Sequence, residues 1–347
     1  MRNRLPPFFQ HIHACLTQGT RVLWASIGAF SLLFSTTSLA EHKLCAIYPH
    51  LKDSYWISVN YGMVSEAKRQ GVTLRVLEAG GYLNLEKQQE QLQLCQSWGA
   101  DAILLGTVDP EAYRSSLGYW VKDTPVFSTV NPLWLNDEQK THHKGQVGAS
   151  WYQMGFETGE FLASQYPDTS DKVARVALLL GPKNSGGTKP VAQGFYDAIK
   201  NSNIDVVETL WADNDKELQR NLVQQVLEQN PIDYIVGSAV AIEAAISELR
   251  SANRENEIGL ISIYLSHGVY RGLLRNKVEY APSDQMVLQG RKAVQQAVAY
   301  LNQQTYSFDD KTKIIGLTPN NIDEIDVKES LSPSKFRPVF EVKANIQ

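Results

Sequence analysis

The stretch Val173-Ala-Arg-Val-Ala-Leu-Leu-Leu180, followed by Gly181-Pro-Lys-Asn-Ser-Gly-Gly-Thr188, decides the fold. An apolar run broken only by Arg175, closed by a glycine-rich loop that opens a helix, reads as a strand buried on both faces. The same unit occurs earlier and recurs. Runs at 44–48, 72–77, 102–105 and 126–130 read as four strands of a first half. Runs at 173–180, 204–210, 234–236 and 258–264 read as four strands of a second, with helical stretches such as 217–228 and 239–250 between them. The helix after the first strand carries Trp56, Val59, Met63, Val64 and Ala67 on one stripe and stops at Gly71. Strands alternating with helices argue for parallel sheets covered on both faces, and a rhythm that restarts argues for two α/β lobes.

The quoted loop has the setting of a phosphate-binding loop, but Gly187 stands where that motif needs its lysine, and Lys189 comes two positions late. It reads as an empty, flexible strand-to-helix loop. The first strand is followed by no G-x-G-x-x-G, and no G-x-S-x-G elbow occurs. Asp53, Asp109, Asp213 and Asp284 fall near strand ends, where helix capping is the default role. These residues form no catalytic constellation.

Before the first strand, Arg2, Arg4 and Arg21 precede an apolar run at 22–34 and then Ser38-Leu-Ala40. This is the pattern of an export signal cut before Glu41, giving a soluble periplasmic protein. Removing residues 1–40 takes away three arginines and no acids, so the formal charge moves from −4 to −7. That balance excludes a nucleic-acid binder. Cys15 leaves with the signal. Cys45 and Cys95 remain as a pair in an oxidising compartment, either bridged or as two small buried hydrophobes.

Between the halves, residues 131–148 are polar and irregular and read as a crossing loop, with a helix beginning near Ala149. The adjacent His142 and His143 point in different directions on regular structure and have no cysteine or acid at zinc spacing, so they read as solvated. Toward the end, 286–300 has helical spacing and 314–317 reads as a strand. A charged stretch at 323–328 and Ser332-Pro333 lead to a tail, 336–342, expected to dock on the second lobe.

Aromatic residues recur where strands give way to helices: Tyr55, Trp56, Tyr82, Trp134, Trp151, Tyr152 and Tyr264. In an open α/β sheet such places converge on one crevice. Ring faces rather than charged groups point to a compact cationic or methyl-rich ligand. Trp120 and Trp211 lie beside strand runs or late in helical ones and read as core.

Four segments in order, Val147-Gly-Ala-Ser-Trp-Tyr-Gln-Met-Gly155, Gly181 through Gln193-Gly-Phe195, Gly237-Ser-Ala-Val-Ala-Ile-Glu-Ala244 and Asp284 through Gly290, resemble the signatures of the type I periplasmic binding proteins, the ribose-binding and LacI-like family. The resemblance implies two Rossmann-like doubly wound lobes, joined by a three-segment hinge, that close on a ligand. It divides the chain into a signal segment (1–40), a first lobe of 41–148 plus about 265–285, and a second lobe of 149–264 plus about 286–347. Sugar-binding members carry Asp-Asn where Trp151-Tyr152 stand, an arginine near Lys189-Pro190, an acid near Ser238-Ala239, and Asp at Tyr264. Replacing those polar groups by rings disfavours a sugar.

With Asp53-Ser-Tyr-Trp56 and Gly80-Gly-Tyr82, the chain is similar to trimethylamine N-oxide-sensing members of the family. Their partner is the periplasmic sensor domain of a membrane histidine kinase. The resemblance implies binding without catalysis or a cofactor, which alters that complex and induces respiration on the amine oxide. The expected site has Trp56, Tyr82, Trp151 and Tyr264 as cage walls with Tyr55 nearby. Asp53 balances the cationic nitrogen, and Asp284 makes an interlobe polar contact. Two rivals are a solute receptor for an importer of a methylated amine or small sugar, and an enzyme acting on a small amine.

Overall fold

Strand β1 (Lys43–Tyr48) shows how the first sheet is built: every residue from Leu44 to Tyr48 is buried. Successive side chains point to opposite faces, so Leu44, Ala46 and Tyr48 enter one helical layer while Cys45 and Ile47 enter the other. The protein is described by a computed structural model covering residues 42–229 and 231–344. The expected signal segment, with Cys15 and the cut before Glu41, lies outside the described residues.

After β1 come α1 (Ser54–Gln70), β2 (Thr73–Glu78), α2 (Leu85–Ser97), β3 (Ala102–Leu105), α3 (Leu117–Val121), β4 (Val126–Thr129) and β5 (His143–Gly148). These strands pair in parallel in the order β5-β4-β3-β1-β2, with Leu44 opposite both Leu74 and Ala102. The second unit runs α4 (Trp151–Ala163), β6 (Ala174–Leu179), α5 (Thr188–Ile199), β7 (Ile204–Leu210), α6 (Lys216–Gln229), β8 (Tyr234–Gly237), α7 (Ala239–Ser251), β9 (Gly259–Ser262) and α8 (His267–Leu274). Its sheet is parallel in the order β7-β6-β8-β9. Cys45 on β1 and Cys95 on α2 are disulfide-bonded, with Cα atoms 5.7 Å apart. Of the two readings left open for these cysteines, the bridge holds.

The remaining elements are β10 (Ala281–Ser283), α9 (Met286–Leu301), β11 (Asp309–Lys311), β12 (Ile315–Leu317) and β13 (Glu341–Val342). Here the lobe boundaries differ from expectation. Helix α8 packs on α7, and Ser262 N–H donates to Tyr280 O, so the chain stays with the second lobe through β10. Helix α9 then lies against α1, and β11 extends the first sheet beside β5. The tail joins the first lobe rather than the second. Strand β13 pairs antiparallel with β2, and Val339 exchanges two 3.0 Å hydrogen bonds with the Asn60 side chain. The chain thus crosses between the lobes after β5, after β10 and after β11, and returns to the first lobe between β12 and β13; the β10–β12 ribbon pairs two of the crossings.

Close helix packing explains this assignment. A Cβ on Gly290 would lie 2.2 Å from Val59 O and one on Gly62 2.1 Å from Val287 O, so α9 and α1 meet backbone to backbone. Gly155 and Gly194 do the same for α4 and α5, where added Cβ atoms would lie 2.0 Å from Val191 O and Tyr152 O.

The crossing loop also differs from expectation, because its last residues form β5. His143 is buried rather than solvated. Its Nε2 lies 3.0 Å from Ser128 Oγ, and Phe308 packs edge-on at 5.1 Å. Burial lowers its pKa to about 4, only partly offset by a backbone hydrogen bond at Gly145. His142 points elsewhere, onto Gly118. Trp120 and Trp211 are half-buried against the cores. Among the described residues no helix is long and apolar enough to cross a membrane.

Candidate ligand-binding cavity

The carboxyl ends of β1, β2, β4, β6, β7 and β9 and the start of α4 meet around one interlobe cavity. The cavity is small, about 30 Å³. That volume holds about two or three waters, or one small molecule, and is tight for a sugar ring.

Asp53 is the N-cap of α1: its Oδ1 accepts from the backbone N–H groups of Tyr55 and Trp56 at 3.1 and 3.2 Å. One carboxylate therefore fixes the first helical turn and fronts the cavity, and the turn it fixes presents Tyr55 and Trp56. Trp56 Nε1 donates to Tyr82 Oη at 3.2 Å, which ties the β2 loop to α1. Trp151 opens α4, whose N-cap Ser150 accepts from Gln153 N–H at 3.2 Å. Its indole lies flat on Gly187, where a Cβ would come within 2.6 Å of the ring. The glycine that spoils a phosphate-loop reading is thus the seat of an aromatic wall. Tyr264, just beyond β9, packs edge-on to Tyr55 at 5.2 Å and to Trp151 at 6.3 Å.

Of the residues expected at the site, Asp53, Tyr55, Trp56, Tyr82, Trp151 and Tyr264 all line the cavity. Asp284 does not. It is buried behind Tyr55, whose hydroxyl donates to Asp284 Oδ2 at 2.5 Å, and Gln289 Nε2 donates to the same oxygen at 2.8 Å. Burial raises the Asp284 pKa, opposed by these two hydrogen bonds. Trp134 and Tyr152 also lie outside the cavity.

The sequence reading missed Asn131, Ser185, Thr188 and Asn214, together with apolar Leu180, Val191 and Ile263. Ser185, Gly187 and Thr188 belong to the loop expected to be empty, which instead forms part of the wall. Each missed polar residue follows a strand end, so the rule that found the aromatics could have found them.

Burial holds the hydroxyls of Tyr55, Tyr82 and Tyr264 in the protonated, donor form. It raises all three pKa values, with a further push from the Asp284 carboxylate at Tyr55 and from Asp53 at Tyr82 and Tyr264. The Tyr264 hydroxyl and Asn214 Oδ1 are buried without a well-formed hydrogen bond. The cavity therefore offers ring faces and one carboxylate, and the hydroxyl of its wall residue Tyr264 lacks a well-formed partner. This set suits a small cation bearing an electronegative atom.

Residues 41–331 match the family described as periplasmic binding proteins and sugar binding domain of the LacI family. The periplasmic protein TorT of Escherichia coli K12 is 44% identical over 323 residues, covering 91% of this chain and 90% of that one. Crystal structures of complexes between the TorS sensor domain and TorT are similar to this chain. The complex without ligand shows 61% identity and a TM-score of 0.80, and the complex with TMAO shows 62% and 0.81. Both cover 86% of this chain and all of theirs. A solute binding protein of a Bradyrhizobium ABC transporter, solved with bis-tris, is 36% identical with a TM-score of 0.73, covering 87% of this chain and 90% of that one. The chain belongs to the family of periplasmic binding proteins and LacI-type sugar binding domains and, within it, to the TorT family.

Proposed function

We propose that this chain is a periplasmic sensor that binds trimethylamine N-oxide (TMAO) in the interlobe cavity. It acts through the sensor domain of a TorS-type membrane histidine kinase to induce respiration on the amine oxide. The observation that carries the reading is the lining itself: five aromatic side chains of both lobes and the Asp53 carboxylate around a space for one small molecule. TorT relatives solved with the TorS sensor domain, one of them with TMAO, support the choice of ligand and partner.

In this reading Trp56, Tyr82, Trp151 and Tyr264 surround the trimethylammonium head, at about 0.5–2 kcal/mol per ring contact. Tyr55 completes the wall, Asp53 balances the positive nitrogen, and the Tyr264 hydroxyl donates to the oxide oxygen. Asp284 anchors Tyr55 from behind. The protein binds its ligand and does not transform it, so TMAO is recovered unchanged after incubation. Residues 1–40 are removed on export, which N-terminal sequencing of the exported protein checks.

The bis-tris complex of the Bradyrhizobium protein favours a second reading, a receptor that delivers an amine to an importer. Calorimetric titration separates the two. The sensor reading expects binding of TMAO in preference to choline, trimethylamine and ribose. Heat with choline or ribose and none with TMAO would sink it and support the importer receptor.

A further inference from the structure

A second pocket, of about 290 Å³, opens to solvent behind Trp151. Val130 and Trp134 come from the first lobe, Tyr152 and Pro190 from the second, and Asp309 and Lys311 from the strand that precedes a crossing. Trp151 and Asn131 line both this pocket and the ligand cavity. Trp151 also bridges the lobes: its ring sits on Gly187, while Nε1 lies 3.4 Å from Val130 O. Any shift of the second lobe relative to the first therefore moves a wall of the outer pocket.

The TorS sensor domain forms a complex with TorT relatives both without ligand and with TMAO. A partner that is docked in both states reads a change of shape rather than arrival or departure. A surface confined to one lobe, such as the exposed Tyr119 beside Trp120, keeps its shape when the lobes move. A pocket assembled from both lobes does not. Trp134 and Tyr152 are each 39% exposed on its rim, and they are residue types that anchor interfaces.

Resting on the sensor function above, we propose that the kinase sensor domain seats an apolar anchor in this outer pocket and reads ligand occupancy through Trp151. The test compares wild type, Trp134→Ala and Lys311→Glu. TMAO affinity is measured by calorimetry, and affinity for the TorS sensor domain of the solved complexes is measured with and without TMAO. Both substitutions lie outside the ligand cavity, so TMAO affinity should stay within about threefold of wild type. Sensor-domain affinity should fall about tenfold or more for Trp134→Ala, the scale of an interface anchor. The difference between the TMAO and TMAO-free states should shrink with it. Sensor-domain affinity unchanged in both variants, or a wild type that binds TMAO and not the sensor domain, overturns the proposal while leaving the ligand reading intact. A wild type that does not bind TMAO overturns the underlying function instead.

Discussion

The two lobes share an architecture but meet the cavity differently. The first lobe's cavity residues are already engaged: Asp53 caps α1, Trp56 donates to Tyr82, and Tyr55 donates to Oδ2 of buried Asp284, whose Oδ1 lies behind the wall without a well-formed partner. Its β1 is also stapled to α2 by Cys45–Cys95. The second lobe brings Trp151, seated on a loop, and two buried polar atoms with no well-formed partner, Tyr264 Oη and Asn214 Oδ1. A buried polar group left unpaired costs about 1–3 kcal/mol, so a ligand that satisfies it gains that difference. The contrast assigns pre-organisation to the first lobe and ligand discrimination to the second.

Removing the staple gives the largest expected change. Replacing Cys45 and Cys95 by alanine releases a loop with a sequence separation of 50 residues. The loss is about 2–4 kcal/mol of stability by chain entropy, read in denaturant unfolding, while the TMAO affinity of the folded variant changes little. A comparable drop in affinity at full stability would reverse the assignment of roles.

The first lobe should also weaken in acid through His143. Its folded pKa of about 4 lies below the 6.5 of the free side chain, so unfolding takes up a proton between these values. Its contribution is therefore complete above pH 6.5 and is lost as pH falls toward 4, roughly 3 kcal/mol in all. His143→Leu should flatten that part of the wild-type stability profile. An unchanged slope would show that His143 is not the group responsible.

Trp151→Ala removes the second lobe's ring wall and should weaken TMAO binding about 30-fold, near 2 kcal/mol. The smallest change belongs to Asp53→Asn. Asparagine caps a helix as well as aspartate, so unfolding should shift by less than about 0.5 kcal/mol. Calorimetry should still show about a fivefold loss of TMAO affinity from the missing charge. Equal losses of stability and affinity would reduce Asp53 to its capping role.

The sheets were legible because their strands are continuous apolar runs, such as Leu44 to Tyr48 and Val176 to Leu179, which can only be buried. The polar edge strands carry no such signal. Strand β11 is Asp-Asp-Lys, and β5 is half polar with a glycine at alternate ends of its last four residues. Both join the first sheet by backbone pairing, with too few apolar side chains to read as buried strands. The apolar stripe of α9 suits either lobe, and only the facing glycines at 62 and 290 select α1, a long-range fit that periodicity does not encode. At the cavity, large rings at strand ends stood out from their surroundings. Ser185, Thr188 and Asn214 did not, because small polar residues are ordinary in loops.

The central claim is that the rings hold the methylated head while the Tyr264 hydroxyl reads the oxide oxygen. The most direct measurement titrates wild type and Tyr264→Phe with TMAO and with tetramethylammonium, which keeps the charge and methyl groups but lacks the oxygen. A lost hydrogen bond to a charged oxygen predicts about a tenfold or larger loss of TMAO affinity and little change for tetramethylammonium. Equal loss for both ligands, or no loss for either, would contradict it.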